Sequence, residues 1–168
     1  MQIRRLVAVD AMAYWKMRNR GLKEFPDAFT TTYEEGLATA PELLAKRFGG
    51  NDSDDFVMGI FAEGGRLAGS AGFQRESRVK NRHKGTLIGM YVVPELRGRH
   101  AGRLLLDRLI DEVRLLNGME QLNLTVTYSN EGARMLYLRA GFVTFGREKN
   151  ALRVDNRYYD KEHMVLTL

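Results

Sequence analysis

The sequence predicts an α/β fold of the α+β kind, in which one mixed sheet carries helices on its faces. Three observations support this. The spacing of apolar residues is helical in the first third, changes to strand-like from Phe56, and returns to helical after His100. A bend rich in glycine and arginine, "PELRGRHAG" at residues 94–102, joins an apolar strand-like run to a strongly amphipathic one. The composition is that of a globular chain: 44% hydrophobic and 28% charged residues, with three prolines in 168 residues. That length fits a single domain over residues 1–168.

Taken in order, Ile3 to Val7 alternate and predict a first strand, and Asp10 is placed to cap the helix "AMAYWKMRNRGLKEF". "PDAFTTTYEEG" reads as a loop leading to a second helical segment, where Pro41 suits the first turn of "PELLAKRF". "GGNDSDD" breaks the chain. Residues 56–77 read as a hairpin turning at Glu63-Gly64-Gly65-Arg66. A further strand, "TLIGMYVV", stops at Pro94, which cannot donate to a ladder. The next helix places Ala101, Leu104, Leu105, Ile110, Val113 and Leu116 on one stripe and ends at Gly118. "QLNLTV" is a short strand. "NEGARMLYLRA" is a helix capped by Asn130 and stopped by Gly141. "FVTFGRE", "NALRV" and "RYYDKEHMVLTL" close the chain as two or three strands with a turn at Asp155-Asn156.

Several function classes are excluded at this stage. The chain has no cysteine, so disulfides, thiolate metal sites and a cysteine nucleophile are absent. His83, His100 and His163 lack metal-ligand spacing, so no metal site is expected. No run of about 18 apolar residues and no signal-like start occurs, which predicts a soluble, cytoplasmic protein with no membrane partner. The net charge of +5 is spread over interleaved acids and bases, and no nucleic-acid signature accompanies it, so nucleic acid is not an expected partner.

The bend has two readings. A helix N-terminus leaves amides unpaired and carries partial positive charge, which with Gly98, Gly102 and the cations Arg97, Arg99 and Arg103 suits a pyrophosphate. Alternatively, the glycines only shape a tight turn. The spacing matches neither the P-loop nor the dinucleotide fingerprint.

"VVPELRGRHAGRLLLDRL" resembles the acyl-CoA-binding signature of the GNAT superfamily of acyltransferases, V-x-P-x-x-R-G-x-G-x-G-x-x-L, at Val92, Pro94, Arg97, Gly98, Gly102 and Leu105. His100 replaces the middle glycine. "NEGARMLYLRAGF" is similar to the family's second block at Asn130, Ala133, Leu136, Tyr137, Gly141 and Phe142, and "LKEFPDAFTTTYEEG" and "RHKGTLIGMYV" echo a bacterial subgroup. The resemblance implies a mostly antiparallel sheet of six to seven strands flanked by about four helices, with the fourth and fifth strands splayed. It implies acetyl-CoA as cofactor, bound by the main chain of Met90, Tyr91 and Val92, by Arg97, Gly98, Arg99, His100, Ala101, Gly102 and Arg103, and by Asn130. It also implies transfer of an acetyl group to a primary amine of a small molecule or peptide by direct attack in a ternary complex. The Met90 amide would face the developing oxyanion, and Tyr137 would protonate the leaving thiolate. Thr86 stands where some relatives carry a basic glutamate, so the base is sought among Glu24, Glu34, Glu35 and His83. Phe25, Phe29 and Tyr33 would wall the acceptor pocket. A non-catalytic acyl-CoA-binding module is the alternative, and the last strands could pair across a homodimer.

Overall fold

In a computed structural model describing residues 1–49 and 54–168, seven strands form one sheet in the order β1-β2-β3-β4-β5-β7-β6. Part of the predicted break "GGNDSDD" lies outside the described residues. Chain order is β1 (Gln2–Arg5), α1 (Ala11–Glu24), α2 (Tyr33–Ala38), α3 (Pro41–Ala45), β2 (Phe56–Phe61), β3 (Leu67–Arg75), β4 (Lys84–Val92), α4 (Ala101–Arg114), β5 (Gln121–Thr127), α5 (Glu131–Arg139), β6 (Val143–Val154) and β7 (Arg157–Thr167). All neighbouring pairs are antiparallel except the parallel β4–β5 pair.

β2 is buried at every position and β3 over its first seven, so both faces of this half-sheet are covered. α1 packs on β3 on one side, and α4 packs on β2 and β3 on the other. The second half-sheet is covered on one face only. Leu122, Leu124 and Val126 of β5 lie opposite Leu166, Met164 and Glu162 of β7, all buried, whereas their neighbours Asn123, Thr125, Lys161, His163 and Val165 remain half-buried or exposed.

Several expectations are corrected. Among the described residues five α-helices flank the sheet: the end of the expected loop "PDAFTTTYEEG" folds as the start of α2, because Thr32 and Glu35 cap each other, and extended Thr39 and Ala40 separate α2 from α3. The first strand runs from Gln2 to Arg5, since Asp10 spends its carboxylate on the Val7 amide and a two-pronged bond to Arg4 and so tightens residues 7–10 instead of capping α1. On α4, Leu104 is 45% exposed while Leu106 and Leu109 are fully buried. The helix ends at Arg114, four residues before Gly118. "FVTFGRE" and "NALRV" form one long β6, interrupted by an irregularity between Glu148 and Leu152. The Asp155-Asn156 turn forms as expected, both residues at positive φ.

Candidate active site

β4 and β5 pair at three positions only: Lys84 with Gln121, Gly85 with Leu122 and Thr86 with Asn123. Beyond these the two strands no longer pair with each other, running on to Val92 and Thr127, and leave a fork in the sheet. On its other edge, β4 bulges. Ser70 faces Tyr91 and Gly72 faces Ile88, so Gly89 and Met90 together stand against Ala71. Gly89 has φ +57°, a left-handed value that a side chain would strain. A bulge leaves one residue outside the ladder, and next to the fork no second strand takes it up.

The fork opens into a cavity of about 920 Å³. Met90, Tyr91 and Val92 form one wall, α5 residues Ala133, Leu136 and Tyr137 another, and Phe25 and Phe29 a third. Arg97, Gly98, His100, Ala101, Gly102 and Arg103 bring the start of α4 to its mouth, with Arg139 and Asn130 opposite. The Asn130 side chain accepts from the Ala133 amide and so fixes the first turn of α5. Gly98 has φ +74°, and a Cβ built there would meet nothing within 4 Å. At Gly102 a Cβ would reach Leu136 at 3.6 Å and Met90 at 3.9 Å, ordinary contact, so the space beyond both glycines belongs to the cavity. The first amides of α4 have no partner inside the helix, and its first turn holds no acid. Arg97 stacks on the Phe25 ring at 4.4 Å, and Arg103 is shared between Asp107 and the Arg139 carbonyl.

A smaller chamber of about 80 Å³ continues from the cavity, bounded by Phe29, Ile88, Gly89, Met90, Thr125 and Tyr137 among others. Tyr137 packs edge-on against Phe142 and is 6% exposed, and burial holds its hydroxyl well above the ordinary phenol range. Beside the cavity, the Tyr91 hydroxyl lies 3.4 Å from Glu24, itself paired with Arg20.

The structure does not bring every candidate together. Arg99 does not line the cavity. Glu34 and Glu35 sit in the first turn of α2, where Glu35 and Thr32 form a reciprocal cap, and Tyr33 lies beneath Lys23. These three belong to the helix start rather than to the cavity wall. His83 precedes β4, and its carbonyl accepts from the Glu120 and Gln121 amides at the paired end of the fork, away from the chamber. Thr125, which lines the chamber, was missed. Its polar position on an alternating strand signals a half-covered face, but nothing local says what lies in front of it.

Residues 18–142 match the model of the Acetyltransferase (GNAT) family. This chain belongs to the GNAT family of acetyltransferases. Acetyl-CoA is the cofactor of that family. Among solved structures, the GNAT acetyltransferase of Streptococcus pneumoniae is 24% identical over 99% of both chains, with a TM-score of 0.83. The yncA protein of Salmonella typhimurium, solved with its cofactor acetyl-CoA, is 25% identical over 100% of this chain and 94% of that one, at a TM-score of 0.79. The ribosomal-protein-alanine N-acetyltransferase of Brucella melitensis is 23% identical over the whole of both chains, at 0.81. No functionally curated protein matches this GNAT chain.

Proposed function

We propose that the chain is one N-acetyltransferase domain that moves an acetyl group from acetyl-CoA to a primary amine of a small molecule or peptide, in a ternary complex and in the cytoplasm. The observation that carries the reading is the forked cavity. Its mouth is a positive helix start with two glycines whose missing side chains leave room, and its floor is a bulged strand.

The residues present fit acetyl-CoA. The amides from Gly98 to Arg103 and the nearby arginines would hold the pyrophosphate, because backbone donors and the helix dipole act together there. Met90, Tyr91 and Val92 would offer main-chain groups to the pantetheine in place of the absent β5 partner. The cofactor supplies a thioester carbonyl, the electrophile. Next to it, the Met90 amide, at the bulge, would stabilise developing negative charge, a contribution of about 3 kcal/mol for one such donor. Tyr137 would give its hydroxyl proton to the departing sulfur. A phenol pushed upward by burial remains protonated at neutral pH and suits donation better than capture.

Calorimetry with acetyl-CoA, with desulfo-CoA and ATP as controls, tests the site. Gly102→Glu is the informative variant, since its Cβ has room in the fold and its carboxylate would enter the phosphate position. Micromolar binding by the wild type that Gly102→Glu loses is the expected outcome. No binding by the wild type rejects the reading. Binding without thiol release towards any primary amine leaves the acyl-CoA-binding module in its place.

A further inference from the structure

The open face of the second half-sheet holds an imidazole paired with a carboxylate. His163 Nε2 lies 3.1 Å from a Glu148 carboxylate oxygen, across the β6–β7 ladder. Neither is buried: side-chain exposure is 33% for His163 and 55% for Glu148. An imidazole with one nitrogen directed at a carboxylate and the other free is the arrangement of an oriented proton acceptor. With Nε2 carrying the hydrogen toward Glu148, Nδ1 keeps its lone pair.

Its placement gives the pair a function. His163 is directly opposite Thr125 on β5, and opposed side chains share a face with Cβ atoms about 4.5–5.5 Å apart. Thr125 lines the small chamber with Gly89, Met90 and Tyr137. Two contacts orient this face toward the loop after α1: the Thr127 hydroxyl donates to the Asp27 carbonyl, and Lys161 Nζ donates to the Thr30 hydroxyl. Phe29, between those two anchors, lines the chamber as well. His163 therefore stands next to Thr125, one side chain away from the chamber.

We propose that His163, oriented by Glu148, takes the proton from the acceptor amine through one water, and that the acceptor lies along the open face of β5 and β7. The inference rests on the transferase reading above. The acceptor's ammonium gives one proton to His163 by way of the water. The neutral nitrogen then bonds the thioester carbonyl carbon as the C–S bond breaks. The nitrogen's second proton makes good the one Tyr137 gives to sulfur, and His163 releases its own to solvent, so the reaction frees one proton overall. The groups facing His163 are Glu148 and the Phe145 ring from β6, neutral Thr125 from β5, and Lys161 on its own strand.

The test compares wild type, His163→Gln, His163→Ala, Glu148→Gln and His83→Gln. Thiol release is followed across pH with acetyl-CoA and a panel of L-amino acids, spermidine, a lysine peptide and kanamycin. In His163→Gln, kcat is expected to fall by about 10²–10⁴-fold at neutral pH, with the KM for acetyl-CoA held and the limb of the pH profile due to an imidazole removed. Added imidazole is expected to restore part of the rate in His163→Ala. A second readout needs no turnover: binding of desulfo-CoA should move the His163 ring resonances, assigned by their loss in His163→Gln. An active wild type whose His163→Gln variant keeps both rate and profile overturns the proposal. So does a limb that disappears only in His83→Gln, or a His163 ring blind to desulfo-CoA. A wild type that binds acetyl-CoA yet transfers to no amine in the panel fails earlier, at the transferase reading, and takes the proposal with it.

Discussion

His100 occupies a glycine's conformation. It has φ 59° and ψ 8°, in the left-handed region, immediately before the first turn of α4. The family signature has glycine there, so the backbone keeps the shape while the side chain departs from it. A left-handed residue with a Cβ carries about 1–2 kcal/mol of strain, and glycine returns part of any gain through its freer unfolded chain. His100→Gly should therefore stabilise the protein by about 1 kcal/mol or slightly less, read from urea midpoints. Asp10 gives a prediction in pH. The two-pronged Arg4 bond holds its carboxyl below the usual carboxylate range, against the opposing effect of burial. With the folded value depressed, the stability it contributes is complete above the unfolded carboxylate value, about 3.9, and is lost as pH falls through the folded one. Asp10→Asn should thus destabilise at neutral pH, and the gap to wild type should close in urea titrations below about pH 4. Tyr137→Phe belongs to the same scale. It removes only the hydroxyl from a ring that stays packed on Phe142, so the expected loss is in kcat, by about 10²-fold or more, with acetyl-CoA affinity retained. Unchanged turnover would remove Tyr137 from the chemistry.

β4 is the element on which the site depends, and its two ends do different work. At its paired end, Gly85 lies directly under the Phe73 ring, and a Cβ there would collide with it. Gly85→Ala should destabilise by about 1–3 kcal/mol through overpacking, measured by thermal or urea unfolding, and should open the fork further down the strand. At the free end, the bulge and the missing partner are tertiary features. Local sequence shows much of this element and little of its neighbours. Pro94 marks the strand's stop, Gly98 and Gly102 mark the bend, and Asn130 marks the start of α5, because each acts through its own backbone. Asp155-Asn156 was readable as a turn for the same reason. Leu104 shares the apolar stripe yet lies exposed, since apolar spacing gives a stripe but not which edge of the stripe a neighbouring layer covers. The pairing of Thr125 with His163 joins residues 38 positions apart, and the Glu148 contact depends on the irregular stretch of β6. Neither has a local signal, whereas the candidates visible in the sequence stand elsewhere in the fold: Glu24 pairs with Arg20, Glu34 and Glu35 lie at the start of α2, and His83 lies at the paired end of the fork.

Across the whole molecule, the sheet consists of two halves joined on the sequence side by α4 and in the sheet by three residue pairs. One half is buried on both faces and the other on one, so the fork is the weak seam. A ligand that lies in the fork and touches both β4 and the start of α4 would replace missing strand pairing. Ligand bound only by the folded state stabilises it by mass action, about 2.7 kcal/mol at a concentration one hundred times Kd. For a chain of this length each kcal/mol corresponds to about 2–4 °C in Tm, so saturating acetyl-CoA should raise Tm by roughly 5–10 °C. The shift should vanish in Gly102→Glu, which keeps the fold and blocks the mouth. Hydrogen exchange locates the effect. Amides of Met90 to Val92 and of the first turn of α4 should slow on binding, while those of β6 and β7, on the far side of the seam, should change little. If protection instead rises evenly across the sheet, the ligand acts on global unfolding alone, and the fork is not a separate opening unit.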